Sequence, residues 1–230
     1  MHDEKKKALL ALLLLVPLPT IGTVASMMWP ATQGTPLGQG LYFFSKIWIL
    51  LVPLWWLFRV ERAKPGLSPM KQGGLGFGLI SGLVVGGSIL LVFVWFGHHL
   101  IDGASVAQTA QTNGLDDPTR YIGLAVYLSL VNSLLEEFVW RWFVFRRCET
   151  LWGAKVGVFA SAFLFTVHHI FALAAQSDAR MTVLGSLGVF TGGLIWSWAY
   201  ARYRSVWPGY VSHVLVDIAI MLIGWMLIFG

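Results

Sequence analysis

The sequence predicts an all-α, polytopic transmembrane helix bundle of about seven spans, or eight if one segment is re-entrant. Three observations carry that prediction. Of 230 residues, 57% are hydrophobic and only 12% charged, with a mean hydropathy of +0.70, whereas a soluble globule carries about 25% charged residues. The apolar residues are gathered into blocks of roughly twenty, the length that crosses a hydrocarbon core about 30 Å thick. The Lys and Arg residues between the blocks fall in alternate connections, as they do in a chain that crosses a bilayer repeatedly. Together these exclude a soluble enzyme, a disordered chain and a disulfide scaffold. The single cysteine, Cys148, excludes an intrachain disulfide and a cysteine-cluster metal site.

The blocks lie at 8–29, 41–58, 75–97, 121–145, 154–175, 182–200 and 208–229. Lys5 to Lys7, then Arg59, Arg62, Lys64 and Lys71, then Arg146, Arg147 and Lys155, then Arg202 and Arg204 sit on one side. The other side holds Lys46, Arg120 and Arg180, a split of twelve against three with Arg141 inside a span. The rule that basic loops stay inside predicts a cytoplasmic N-terminus and a C-terminus on the opposite side. The net charge of +5 thus reports topology, and no nucleic-acid partner is expected. Residues 1–230 read as a single membrane domain whose chemistry is concentrated in 120–220.

The first block also has features of a signal peptide, three lysines ahead of an apolar run and small residues near Ala25. An uncleaved span keeps the charge alternation intact, and Pro17 and Pro19 are tolerable if neighbours satisfy the freed carbonyls. In the third block Gly74, Gly78, Gly82 and Gly86 recur every fourth residue, so one face presents bare backbone for close helix packing. The connection from His98 to Thr119 is the one long polar stretch and reads as a cap on the outer face. No internal repeat suggests a transporter built from related halves.

Ionisable residues at bilayer depth are costly and call for a functional explanation. Three groups qualify: Glu136, Glu137 and Arg141 in the fourth block, His168 and His169 in the fifth, and His213 with Asp217 in the seventh. On an α-helix Glu137 and Arg141 are one above the other and can form an ion pair, while Glu136 is about 100° further round and lacks that partner. Two adjacent carboxylates in unlike surroundings are what separate acid and base roles require; a buried structural ion pair is the competing explanation. His168 and His169 point to different faces, so only one is expected in the site, whereas His213 and Asp217 share a face. Counted from the cytoplasmic ends, Glu136 lies about 16 Å deep, His169 about 22 Å, His213 about 8 Å and Asp217 about 13 Å. Convergence on one cavity is therefore expected.

In this order, each on its own span, these residues resemble the CPBP or Abi family, the CAAX-processing and bacteriocin-processing proteases of the glutamic intramembrane type. Its Glu-Glu-x-x-x-Arg motif matches Glu136, Glu137 and Arg141, its Phe-x-x-x-His matches Phe165 to His169, and its His-x-x-x-Asn/Asp matches His213 to Asp217. The resemblance covers about 120 to 220. It implies that Glu136 and His169 activate a water that attacks a peptide carbonyl, that His213 and Asp217 stabilise the oxyanion, and that Arg141 holds Glu137 in place. Phe165 selects His169, with His168 one residue away. An ionised Asp217 cannot donate to an oxyanion, so the preferred role is to orient His213. The expected substrate is a membrane-associated peptide or protein bearing a CAAX tail, a leader or a sorting signal. No cofactor or metal is expected. A zinc protease is the nearest alternative, weakened by the absence of a His-Glu-x-x-His run, and a proton-coupled transporter using the same groups is the other.

Overall fold

The computed structural model describes residues 2–62 and 68–230. Lys64, one of the basic loop residues, lies outside the described residues. The chain forms α1 (His2–Leu15), α2 (Pro17–Met27), α3 (Pro36–Arg59), α4 (Leu75–Leu100), α5 (Gly103–Thr112) and α6 (Pro118–Val126). After α6 come a π-helical segment Tyr127–Asn132, α7 (Ser133–Glu136) and a second π-helical segment Glu137–Phe145. Helices α8 (Arg146–Ala174), α9 (Ala179–Tyr203) and α10 (Trp207–Phe229) complete the bundle. No strand occurs among the described residues.

Six stretches are long and apolar enough to cross a membrane, and one of them, Pro118–Ala174, runs for 57 residues. That stretch is a hairpin. Gly153 has φ 80° and ψ 167° in the middle of α8, a conformation that glycine adopts without strain. Beyond it the chain turns back, so that Gly157 abuts the backbone of Cys148 and Glu149 and Phe165 packs edge-on against Trp140 at 5.5 Å. The hairpin makes two passes, and among the described residues the bundle has seven.

The proline pair in the first span divides it into α1 and α2. The Leu14 carbonyl near the break accepts the Trp48 indole N–H at 2.8 Å, a neighbour meeting a backbone need that lipid cannot. Ala11, Leu12 and Leu15 are buried in the main core with Val52 and Trp56 of α3 and Val139, Trp140, Phe143 and Val144 of the hairpin. Outward-facing Leu79, Ile80, Leu83, Val94 and Trp95 of α4 are exposed; such a surface suits hydrocarbon and not water.

The glycine stripe of α4 lies along α10. A Cβ at Gly78 would collide with the Pro208 carbonyl, one at Gly82 would come within 2.9 Å of Ser212 Cα, and one at Gly86 within 3.1 Å of the Leu215 carbonyl. The two helices therefore meet backbone to backbone, which fixes the position of α10 and of the His213 that follows Ser212.

The connections rich in Arg meet at one end of the bundle. Arg147 pairs with Glu61 at 2.5 Å and Arg204 with Glu149 at 2.7 Å, while Ser205 Oγ donates to the Ser68 carbonyl. At the opposite end Tyr121 donates to the Met221 carbonyl and packs on Trp225 and Phe229. The polar connection read as a cap on the outer face contains the ten-residue helix α5, capped at its N-terminus by Asp102, which accepts from Ala104 N and Ser105 N.

Candidate active site

The hairpin's first pass is the centre of the bundle, and Glu137, Arg141, Phe143, Val144 and Phe145 are inaccessible to solvent. Its π-helical turns widen the spacing that α geometry would give, a local distortion concentrated at functional sites in general. This corrects the α-helical register expected for the Glu136 to Arg141 run. Ser133 Oγ reaches back five residues to the Leu128 carbonyl at 2.9 Å.

Helix α10 runs antiparallel to this pass, and matched turns face one another. Asp217 faces Ser133, with Oδ2 and Oγ 2.5 Å apart. One turn along, His213 Nδ1 lies 3.2 Å from Glu137 Oε1. Another turn along, Gly209 abuts the other Glu137 oxygen, and a Cβ there would collide with it. Glu137 thereby sits in the first turn of α10, where the partial positive charge of a helix N-terminus favours a carboxylate.

Arg141 supports the same carboxylate, with Nε 3.5 Å from Glu137 Oε1. Its guanidinium lies between two rings, 4.6 Å from the Phe165 centroid and 5.3 Å from that of Trp196. Cation–π attraction in a desolvated setting offsets part of the cost of burying it. Phe165 of the second motif is thus a wall of the Arg141 pocket as well as a neighbour of His169, at 4.5 Å.

His213 stacks on Trp196 of α9 at 3.8 Å, and the Trp196 indole donates to Ser212 Oγ at 3.1 Å. The imidazole Nε2 is 3.7 Å from both Glu136 Oε2 and Asp217 Oδ2. Asp217 does approach His213, as expected, while the nearer contact at Nδ1 is to Glu137. Asp217 also bonds to Ser133.

His169 Nδ1 is 2.9 Å from the Phe165 carbonyl; a carbonyl only accepts, so Nδ1 carries the hydrogen and Nε2 presents a lone pair. His168 does not turn away, as adjacency led us to expect. It stacks on Trp140 at 5.2 Å, with its ring 4.0 Å from that of His169. One oxygen of Glu136 and one nitrogen from each of His168 and His169 lie within 4.8 Å of one another. Glu and two His are a donor set that suits zinc with an open position for water.

Ser133, Trp196, Gly209 and Lys46 were not singled out from the sequence. Ser133 had a signal, since it stands four residues before Glu137 and shares its face. Lys46, counted with the outer connections, lies inside α3, its ammonium 5.4 Å from the Tyr42 ring centroid.

Fold and site together define an integral multi-pass membrane protein with a carboxylate and imidazole centre inside its bundle. Residues 118–219 match the family model described as Rce1-like, type II CAAX prenyl endopeptidase. That segment holds every motif residue from Glu136 to Asp217, and its similarity to the Rce1-like family is consistent with the CPBP/Abi resemblance. The match supports a CAAX-type intramembrane endopeptidase in general outline, a family whose members act on membrane-associated protein substrates. Comparison with curated proteins and with solved structures gave no match.

Proposed function

We propose that the protein hydrolyses a peptide bond near the C-terminus of a CAAX-type substrate by a Glu/His-activated water without a metal. The observation that carries this reading is the fixed tautomer of His169. Its Nδ1–H is committed to the Phe165 carbonyl, so Nε2 accepts a hydrogen from water on the side shared with Glu136. Glu136 takes the other proton as the water oxygen bonds to the scissile carbonyl carbon. The oxyanion faces His213 Nε2. To donate there the ring must carry both protons, and Glu137 at 3.2 Å with Glu136 and Asp217 at 3.7 Å supply the counter-charges such a cation needs. Glu136 then returns its proton to the leaving nitrogen, the C–N bond breaks to give a carboxylic acid and an amine, and the acid loses its remaining proton to His169 Nε2. Preorganised donors in a site that excludes water are worth far more than in solution.

The basic end of the bundle, with Arg59, Arg147 and Arg204, is assigned to the cytoplasm by the positive-inside rule, so a tail enters from that side or from the bilayer. An apolar groove of about 270 Å³ between the start of the hairpin and α10, lined by Tyr121, Val126, Ser129, Ile218 and Leu222, suits a substrate's hydrocarbon part.

A zinc hydrolase is the second reading, favoured by the approach of Glu136, His168 and His169. Cleavage of a prenylated CAAX peptide by the purified protein in detergent separates the two. The glutamic reading predicts turnover unchanged by a strong chelator, abolished in His169→Ala and kept within about tenfold in His168→Ala. Chelator-sensitive turnover restored by zinc, with both His variants inert, would move the assignment to the metal.

A further inference from the structure

Among the described residues, Lys46 is a cation inside a membrane-spanning helix that the three motifs do not use. It lies ten residues into α3, about 15 Å from the helix start at 1.5 Å per residue, and so at bilayer depth. It is half-buried. Its ammonium lies 5.4 Å from the Tyr42 ring centroid, and no ion pair within 4.0 Å joins it to a carboxylate among the described residues. A cation at that depth without a close counter-charge marks a pathway or a binding site. Its neighbours Trp48 and Ile49 pack against the core that holds Trp140 and Phe165, which puts this stretch of α3 beside the active site.

The packing of α3 sets its level. Trp56 meets Phe143 edge-on at 6.3 Å, and Val52 shares a core with Val139 and Trp140. Both passes run in the same direction, away from the end that holds Tyr121 and toward the end that holds Arg59 and Arg147. Counting back from that contact, Lys46 is about 15 Å from Trp56 and Glu136 about 10 Å from Phe143. Lys46 therefore stands beyond Glu136, on the side away from the basic end.

We propose that Lys46 binds the C-terminal carboxylate of the substrate and so restricts cleavage to bonds a few residues from a free chain end. This rests on the CAAX-type reading above. In such a tail three residues follow the scissile bond, and three extended residues span about 10 Å. A chain entering from the basic end, with its scissile carbonyl at Glu136, carries its terminus onward into the region that Lys46 occupies. The carboxylate supplies the counter-charge Lys46 lacks, through a charge-assisted hydrogen bond in a low-dielectric setting. Lys46 is a specificity residue that touches substrate and takes no part in bond cleavage.

The test compares a prenylated Cys-aliphatic-aliphatic-X peptide bearing a free carboxylate with its C-terminal amide, using wild type, Lys46→Met and Lys46→Arg. Wild type should prefer the acid by about tenfold to a hundredfold, mostly through KM, as expected for a hydrogen bond to a charged group. Lys46→Met should cleave both peptides at the rate of the wild type on the amide, and Lys46→Arg should restore the preference. Equal cleavage of acid and amide by wild type, or an equal loss on both in Lys46→Met, overturns the proposal and leaves the endopeptidase reading intact. Wild type no more active than Glu136→Gln on both peptides removes the CAAX reading and the proposal with it.

Discussion

Helix α4 and the hairpin Pro118–Ala174 both read as membrane-crossing, with mean hydropathies of 2.4 and 1.8 in their most apolar windows, yet they do different work. Most of α4 faces outward and its one buried face is a glycine stripe. The hairpin is the centre of the bundle and keeps Glu137 and Arg141 entirely away from solvent. The lesson is that hydropathy finds the spans, while the charges a span retains, and what surrounds them, find the chemistry. The small residues of α4 serve that chemistry at one remove, because they let α10 approach and deliver His213 to Glu137.

The comparison breaks most visibly at the buried charges. Arg141→Met removes one of the two cationic partners of the buried Glu137, leaving only His213, and should destabilise the protein by about 3–5 kcal/mol, measured by thermal unfolding in detergent. The double change Arg141→Met with Glu137→Gln should recover part of that loss, since no bare charge remains buried. On α4 the expected effect is smaller. Gly82→Leu must push against Ser212 and Leu215 and should cost about 1–3 kcal/mol by overpacking, with turnover reduced as His213 shifts. Gly87→Leu, which meets nothing within 4 Å, should change stability by no more than about 0.5 kcal/mol. Equal costs at the two glycines would contradict the α4–α10 contact. Small too is the effect of Glu149→Ala at the basic end. Its partner Arg204 is 47% exposed, so the loss should be no more than about 1 kcal/mol and should shrink further in high salt.

Much of this organisation was legible in the sequence. The apolar blocks were, because every span must satisfy its own backbone hydrogen bonds in lipid and therefore stays helical and apolar over its full length. The glycine period of α4 was legible because only close backbone contact rewards it. Helix α5 was missed because a ten-residue polar helix has no apolar period strong enough to separate it from a loop. The π-helical turns around Glu137 leave no compositional trace. At the site, the motif spacings identified the residues on each helix, but partners across helices depend on register. His213 therefore finds Glu137 nearer than Asp217, and Ser133, Trp196 and Gly209 became visible only once α9 and α10 were in place. Lys46 was hidden by its position near the start of a block, where it read as a loop charge.

The central claim is that Glu136 is the base that activates water. The most direct measurement is turnover of a prenylated CAAX peptide by wild type and Glu136→Gln, with the unfolding temperature of both recorded in the same detergent. Glutamine keeps the shape and removes the proton acceptor, so turnover should fall about a hundredfold to ten-thousandfold while the unfolding temperature stays within a few degrees. Undiminished turnover in a folded Glu136→Gln would contradict the account.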